Sequence, residues 1–355
     1  MSCQCPANTL DNRVERFPIV SATRPKTRRP TIYDVAKHAG VSPSLVSLVL
    51  QSPERVSDKR REAVQAAMSE LGYRPSRAAT TLASNRTKSI GLLIDDYRNL
   101  WFVDLLRGME SVLSELGYHV LLADSQPGEN RIKEAADGLL AMHVDALVIA
   151  AEPSESMLAR TWVPTVVAGW RMGVPAGADL ITNDDDGGGG MAADHLLGLG
   201  HTRIGHLSGS DGASAHRRAG FRRQVQAAGV ELLVAESKGT SEEDGYIAAS
   251  WLLDHHPDTT AIFSANDTMA VGAFAALKAR GLDVPGDISV IGYDNSPLAK
   301  SRYLDITSID NRSDLVGIDV AHRLLARIQD PAMSPQQTLI DPALVVRSTT
   351  ARAAR

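Results

Sequence analysis

Residues 31–50 read TIYDVAKHAGVSPSLVSLVL, and their local signals predict two short helices joined by a tight glycine turn. Thr31 and Asp34 have the spacing of a capping box, in which the threonine accepts from a first-turn amide and the aspartate reaches back. Gly40 ends the first helix, because glycine takes the left-handed conformation without a Cβ penalty. Ser42 caps the second, with Pro43 at its first position, where a missing N–H costs nothing. Two such helices at a steep angle form a helix-turn-helix, whose second member fits a DNA major groove. Plain helix packing also uses capped pairs, so the flanks must decide.

They do so through charge. Residues 1–88 carry fifteen Lys and Arg against seven Asp and Glu, and the remainder carries 22 against 35. The net charge of −5 over 355 residues therefore conceals a basic head on an acidic body. Basic charge coinciding with a helix pair is the footprint of an appended DNA-binding module. Residues 56–73, VSDKRREAVQAAMSELGY, predict a third helix capped by Ser57, with Ala63, Val64, Ala67, Met68 and Leu71 facing inward. The head is thus placed at residues 30–74. Residues 1–29, rich in Pro, Asn, Thr and Arg and holding the only cysteines, Cys3 and Cys5, predict a reduced, disordered extension. Residues 75–88 carry Pro75 and a weak Ala79, Leu82, Ala83 pattern. That reads either as a linker or as a marginal helix that DNA or a second copy would order.

From Ser89 onward apolar strands alternate with amphipathic helices. SIGLLID, HVLLAD, DALVIA, PTVVAGW, RIGHLSG, TAIFSAN and DISVIGYD are continuous apolar runs, as expected of parallel strands covered on both faces. About 250 residues suffice for two doubly wound lobes. Ligands in such sheets bind beyond the carboxyl ends of the strands. Asp95 and Asp96, Gly169 and Trp170, Ser208 to Ser210, Asn266 and Asp267, and Asp294 and Asn295 end successive strands. Carboxylates, amides, hydroxyls and an indole converging on one crevice suit a sugar or other small polyol. Each Asp or Asn alone would equally serve as a helix cap. No histidine pair has metal-ligand spacing, no G-x-S-x-G elbow occurs, and the Gly187–Gly190 run lacks the Lys-Ser/Thr of a phosphate loop. Those glycines read instead as a turn leading into the MAADHLL helix. Neither catalysis, nor a cofactor, nor a metal is expected, and no apolar run reaches membrane-spanning length.

Over residues 30–350 the chain resembles the lactose-repressor (LacI/GalR) family of bacterial transcription regulators. The segments TIYDVAKHAGVS, YRPSRAATTLA, LGHTRIGHLSG, RRAGF, NDTMAVGA, GLDVPGDISVIGYDN and LVVRSTT carry the likeness, in that order. It implies a small all-α helix-turn-helix head followed by two doubly wound parallel-sheet lobes resembling a periplasmic binding protein. It implies a cytoplasmic homodimeric repressor on a palindromic operator, released or recruited by a small molecule, a sugar, held between the lobes. It also implies three crossovers between lobes, with a first lobe of about 89–177 and 311–340 and a second of about 178–310. The lack of a heptad-bearing segment after Thr350 favours a dimer over a tetramer.

Residue by residue, the likeness places Pro43, Ser44 and Leu48 on the exposed face that reads bases. Ile32, Tyr33, Ser42, Ser47, Gln51, Arg55 and Ser57 fall where the family contacts phosphate or the groove rim. Leu82 corresponds to a leucine wedged into the minor groove, flanked by Ser76 and Ala79. Leu48, Leu45 and Gln51 stand where arginine, threonine and asparagine are common. Among ligand residues the likeness implies Arg217, Asn266 and Asp294, and the strand-end argument adds Asp96. Thr240 and Gly169 stand where many members carry an aromatic and an acid or base. Trp101 and Trp170 are read either as a replacement apolar wall or as core. Two other classes remain for comparison. A periplasmic sugar-binding protein would need an export signal and no basic head, and an enzyme would need a constellation that is not visible.

Overall fold

The computed structural model describes residues 30–74, 86–125, 129–159, 163–209 and 212–353, with the side chains of Gln51, Glu129 and Asn130 excepted. The expected extension at 1–29 and most of the expected hinge, including Ser76, Ala79 and Leu82, lie outside these residues. The chain divides into two units, Met1–Asn85 and Arg86–Arg355.

In the first unit the helices are α1 (Ile32–Ala39), α2 (Pro43–Gln51) and α3 (Asp58–Leu71). Asp34 Oδ2 accepts from both the backbone N–H and the hydroxyl of Thr31, each at 2.7 Å. Gly40 ends α1 with φ 66°, and Ser42 Oγ accepts from Leu45 N at 3.2 Å. Val35, Ala36, Val46, Val49, Val64 and Ala67 form the core that the helical spacing of apolar residues demands. Two details differ from the sequence reading. Ala63 is exposed rather than inward, and the Ser57 hydroxyl makes no capping bond; its carbonyl alone receives the first α3 amides.

The second unit holds two six-stranded sheets. The first has the order β11-β5-β4-β3-β1-β2, with β1 Ser89–Ile94, β2 His119–Asp124, β3 Ala146–Ala150, β4 Thr165–Ala168, β5 Asp179–Asn183 and β11 Gln337–Ile340. Every pairing in it is parallel. The second runs β12-β10-β9-β8-β6-β7, with β6 Ile204–Ser208, β7 Leu232–Glu236, β8 Ala261–Ser264, β9 Ser289–Tyr293, β10 Thr307–Asp310 and β12 Ala343–Val345. Only β12 is antiparallel, along β10. Each sheet carries a buried apolar cluster on both faces. The chain passes between sheets three times, after β5, β10 and β11.

The second lobe does not begin at 178. Strand β5 pairs with β4 and β11 in the first sheet. Its sequence, DLITN, hides this, because it opens on a charge. Asp179 is 1% exposed and is neutralised by Arg327 and by Arg323 at 2.8 Å, and buried charges persist only when paired in this way.

The glycine run also differs from its sequence reading. Gly187–Gly190 lie inside a helix, Asp185–Gly198, and not in a turn ahead of it. Glycine is a poor helix former, yet here it lets the helix Ala213–Ala227 approach closely. A Cβ on Gly189 would overlap the carbonyl of Arg217, and one on Gly220 the carbonyl of Asp186. The same approach presses Arg217 against Asp185. Gly189→Ala is therefore expected to lower the unfolding free energy by about 1–3 kcal/mol. Gly198→Ala, in the same helix with nothing near its Cβ, should leave the thermal midpoint unchanged or slightly raised.

Candidate functional site

In the head, Tyr33 is 71% exposed, and Ser42, Ser44, Arg55 and Ser57 are exposed as well. Ile32, Pro43, Ser47 and Leu48 are half-buried. Pro43 and Leu48 thus depart from the expected fully exposed face. The reason for Leu48 is its apolar side chain, which packs against the core of the head. His38 Nε2 lies 2.7 Å from Glu70 Oε2, tying α1 to α3.

In the second unit a cleft of about 410 Å³ opens at the carboxyl ends of both sheets. Five of the six residues named from sequence line it: Trp101, Trp170, Arg217, Asn266 and Asp294. Asp96 does not. Its carboxylate turns outward and pairs with Arg98 Nε at 3.0 Å, which holds it below the usual carboxylate range. Its neighbour Asp95 lines the cleft instead, and burial pushes that carboxyl up. Asp185, Asn183, Glu152 and Arg171 line it too. Sequence reasoning passed over Asp185, although the D-D-D run at 184–186 follows directly on β5. Arg171, directly after the nominated Gly169 and Trp170, was also passed over.

The second-lobe wall is built on Arg217. Its Nε donates to Asp185 Oδ1 at 2.8 Å, Nη1 to the carbonyl of Ala265 at 2.7 Å, and Nη2 lies 3.3 Å from Asp294 Oδ1. The guanidinium carbon stands 3.8 Å over the Tyr293 ring, a cation–π contact strengthened by desolvation. Burial opposes the charge, but Asp185 and Asp294 outweigh it and hold Arg217 above the ordinary guanidinium range. Asp294 takes a left-handed backbone, φ 95°, at the end of β9, the kind of strained position that clusters at functional sites. Asn266 combines both of its sequence readings. Its Oδ1 caps a helix by accepting from Met269 N at 2.8 Å, and its Nδ2 donates to Thr240 O at 3.2 Å at the edge of the cleft.

The first-lobe wall is aromatic. Trp101 Nε1 donates to Asn183 Oδ1 at 3.1 Å, and its ring meets Phe102 edge-on. Trp101 is 8% exposed, so it is core and wall at once. Trp170 reaches across to stack on His216 of the opposite lobe, with centroids 4.2 Å apart. Among the described residues no group of three or more His, Cys, Asp or Glu is placed to hold a metal, and no helix is long and apolar enough to cross a membrane.

The family model described as "Bacterial regulatory proteins, lacI family" matches residues 31–76, and a periplasmic binding protein-like domain matches 193–350. The HTH-type transcriptional regulator CelR of Thermobifida fusca is 34% identical over 340 residues, covering 91% of this chain and 99% of that protein. A CelR–cellobiose complex matches at 31% identity and TM-score 0.67, covering 90% of this chain and 100% of that one. The lac repressor dimer bound to operator and an anti-inducer matches at 30% identity and TM-score 0.80, covering 91% and 100%. The chain belongs to the lacI family of bacterial regulatory proteins. It is a ligand-regulated DNA-binding transcription regulator, and its relatives are regulators rather than enzymes.

Two buried carboxyls give a test of the second-lobe wall. Burial pushes Asp294 up to about 6 against the pull of Arg217, and pushes Asp267 up to about 7 with Asp294 adding to the rise. Both sit above the unfolded value near 4, so the folded state holds extra protons between about pH 4 and 7 and loses stability as pH rises through that window. Asp267→Asn is expected to flatten the fall of the thermal midpoint between about pH 4 and 7. An unchanged slope would remove Asp267 as its source.

Proposed function

We propose that this chain is a cytoplasmic homodimeric repressor of a palindromic operator, whose affinity is set by a sugar or similar polyol bound in the cleft. One observation carries the reading: the Arg217 fork, fixed between Asp185 and Asp294, faces an indole wall across a cleft. A planar donor fork with flanking carboxylates matches vicinal hydroxyls, and an indole matches the apolar face of a sugar ring. Cellobiose bound to CelR and operator bound to the lac repressor support the two halves.

In this reading Pro43, Ser44 and Leu48 meet base edges. Ile32, Tyr33, Ser42, Ser47, Gln51, Arg55 and Ser57 position the head on the backbone, and Leu82 with Ser76 and Ala79 enters the minor groove. Arg217, Asn266, Asp294, Trp101 and Trp170 hold the ligand. Closure of the lobes couples the two sites by about 1–3 kcal/mol.

The test is operator binding by fluorescence anisotropy, titrated with sugars that raise the thermal midpoint. Arg217→Lys keeps the charge and loses the fork. It should bind operator as the wild type does while binding the sugar about tenfold or more weakly. An unchanged sugar affinity would remove Arg217 from the site.

Leu48 generates a second test. Leucine cannot make the bidentate guanine contact of an arginine, worth roughly 1–3 kcal/mol of discrimination. Half-sites selected from a random pool should lack the guanine that the family's arginine reads, and Leu48→Arg should restore it. Recovery of the guanine-bearing half-site by the wild type would sink this reading.

A further inference from the structure

The cleft holds two arginines in opposite states. Arg217, in the second lobe, is neutralised by two carboxylates in direct contact. Arg171, in the first, is not. Its Nη1 and Nη2 donate to the backbone carbonyls of Trp170 and Ala150, and Nε has no acceptor among the described residues. No carboxylate among the described residues reaches ion-pairing distance of it. Asp95, Glu152 and Asp185 lie near enough to act on its charge, yet burial outweighs them and pushes Arg171 below the ordinary guanidinium range. Asp185 is already held by Arg217, and neither of the others is a good counter-ion. Burial raises Asp95 as well, and Glu152 is exposed, with both its oxygens on the amide of Met172 at 3.0 and 3.2 Å.

A second feature of the same loop points the same way. The indole N–H of Trp170, the preceding residue, likewise has no acceptor among the described residues. Trp170 and Arg171 both line the cleft, and the loop holds two buried donors without an acceptor among the described residues, beside a guanidinium without a carboxylate in contact. A buried donor left unsatisfied costs about 1–3 kcal/mol, and an under-neutralised buried cation costs more. Gly169 makes the arrangement possible. It takes φ +77°, and a Cβ there would press on Arg171 Nη1 and the Trp101 ring, each at 3.2 Å. The absence of a side chain at 169 is thus coupled to the presence of the arginine two residues on.

We infer that the ligand of this cleft carries an anionic group, a carboxylate or a phosphate on a polyhydroxyl frame, which docks on Arg171 and the Trp170 N–H while Arg217 and Asp294 hold its hydroxyls. This rests on the cleft being the effector site, as proposed above. An anion is acceptor-only and supplies what the loop lacks, and charge-assisted contacts of this type are about twice as strong as neutral ones.

The experiment is thermal unfolding of the full chain against matched sets: glucose and ribose, gluconate and glucuronate, glucose 6-phosphate and ribose 5-phosphate. Each compound that raises the midpoint is then titrated by calorimetry into wild type, Arg171→Met and Arg171→Lys. Sugar acids or sugar phosphates are expected to bind the wild type while their neutral counterparts do not. Which of the two sets responds separates carboxylate from phosphate. Arg171→Met should weaken the responding anion about ten- to a hundredfold, and Arg171→Lys, which keeps the charge, should weaken it less. Binding of a neutral sugar with equal affinity in wild type and Arg171→Met overturns the inference and leaves the cleft as effector site. Anion binding that ignores Arg171 overturns it too, as does the absence of a shift with every anion. If a neutral sugar binds and Arg217→Lys leaves it unaffected, the site assignment itself fails.

Discussion

The buried contact of Arg217 with Asp185 and Asp294 is the constraint on which the body depends. Removing one partner of a buried ion pair leaves a stranded charge, at a cost of about 3–5 kcal/mol. The pair is well satisfied here because the guanidinium also donates to Ala265 O and lies over Tyr293. Its position is set by backbone and not by side chains alone. The glycines at 189 and 220 bring two helices close enough to place Arg217 against the first turn of the helix that begins at Asp185. The poor helix propensity of that first turn is thus offset by what its closeness permits. The same turn follows β5 directly, so the ion contact is anchored at the point where the chain leaves the first sheet.

That placement joins the lobes through a continuous set of polar contacts. Trp101 Nε1 donates to Asn183 at the end of β5, and Asn183 Nδ2 donates to the carbonyl of Asn311, in the second crossover. Asn311 Nδ2 then donates to Asp294 Oδ1 at 2.8 Å, which also faces Arg217. The first-lobe wall of the cleft is therefore linked to the second-lobe wall by way of two of the three crossovers. Trp170 on His216 makes a separate link at the rim. A group touching both walls therefore touches side chains bonded to two of the crossover segments.

Much of this was legible in the sequence, and the illegible parts share a cause. The head could be read because its information is local: a capping box, a left-handed glycine and a proline at a first helical position. Seven strands could be read because each is a nearly unbroken apolar run, as two-sided burial demands of all but the edge strand β2. Strands β5, β7, β10, β11 and β12 could not. Polar or charged residues interrupt most of their runs, and in β5 and β10 those residues have partners far along the chain, as Asp179 does with Arg327 and Ser308 with Asp267. The helical glycines were invisible for the same reason, since their justification is a helix that packs on them from thirty residues away. At the cleft, strand ends pointed to the right loops but not always to the right residue. Asp95 and Asp96 are equivalent on paper, and only the outward ion pair with Arg98 decides which one faces in.

The two walls divide the work of recognition unequally. The second-lobe wall is closed electrostatically: Arg217, Asp185 and Asp294 satisfy one another, and a ligand there must exchange hydrogen bonds without adding charge. Such a wall suits many polyols alike. The first-lobe wall is open, because Gly169 leaves no side chain and the loop beyond it presents unsatisfied donors. Discrimination is strongest where a site holds polar groups that the wrong ligand leaves unpaired. In the proposed reading, specificity therefore resides in residues 169–171, where the buried donors lack a protein partner, while Arg217, Asp185 and Asp294 satisfy one another.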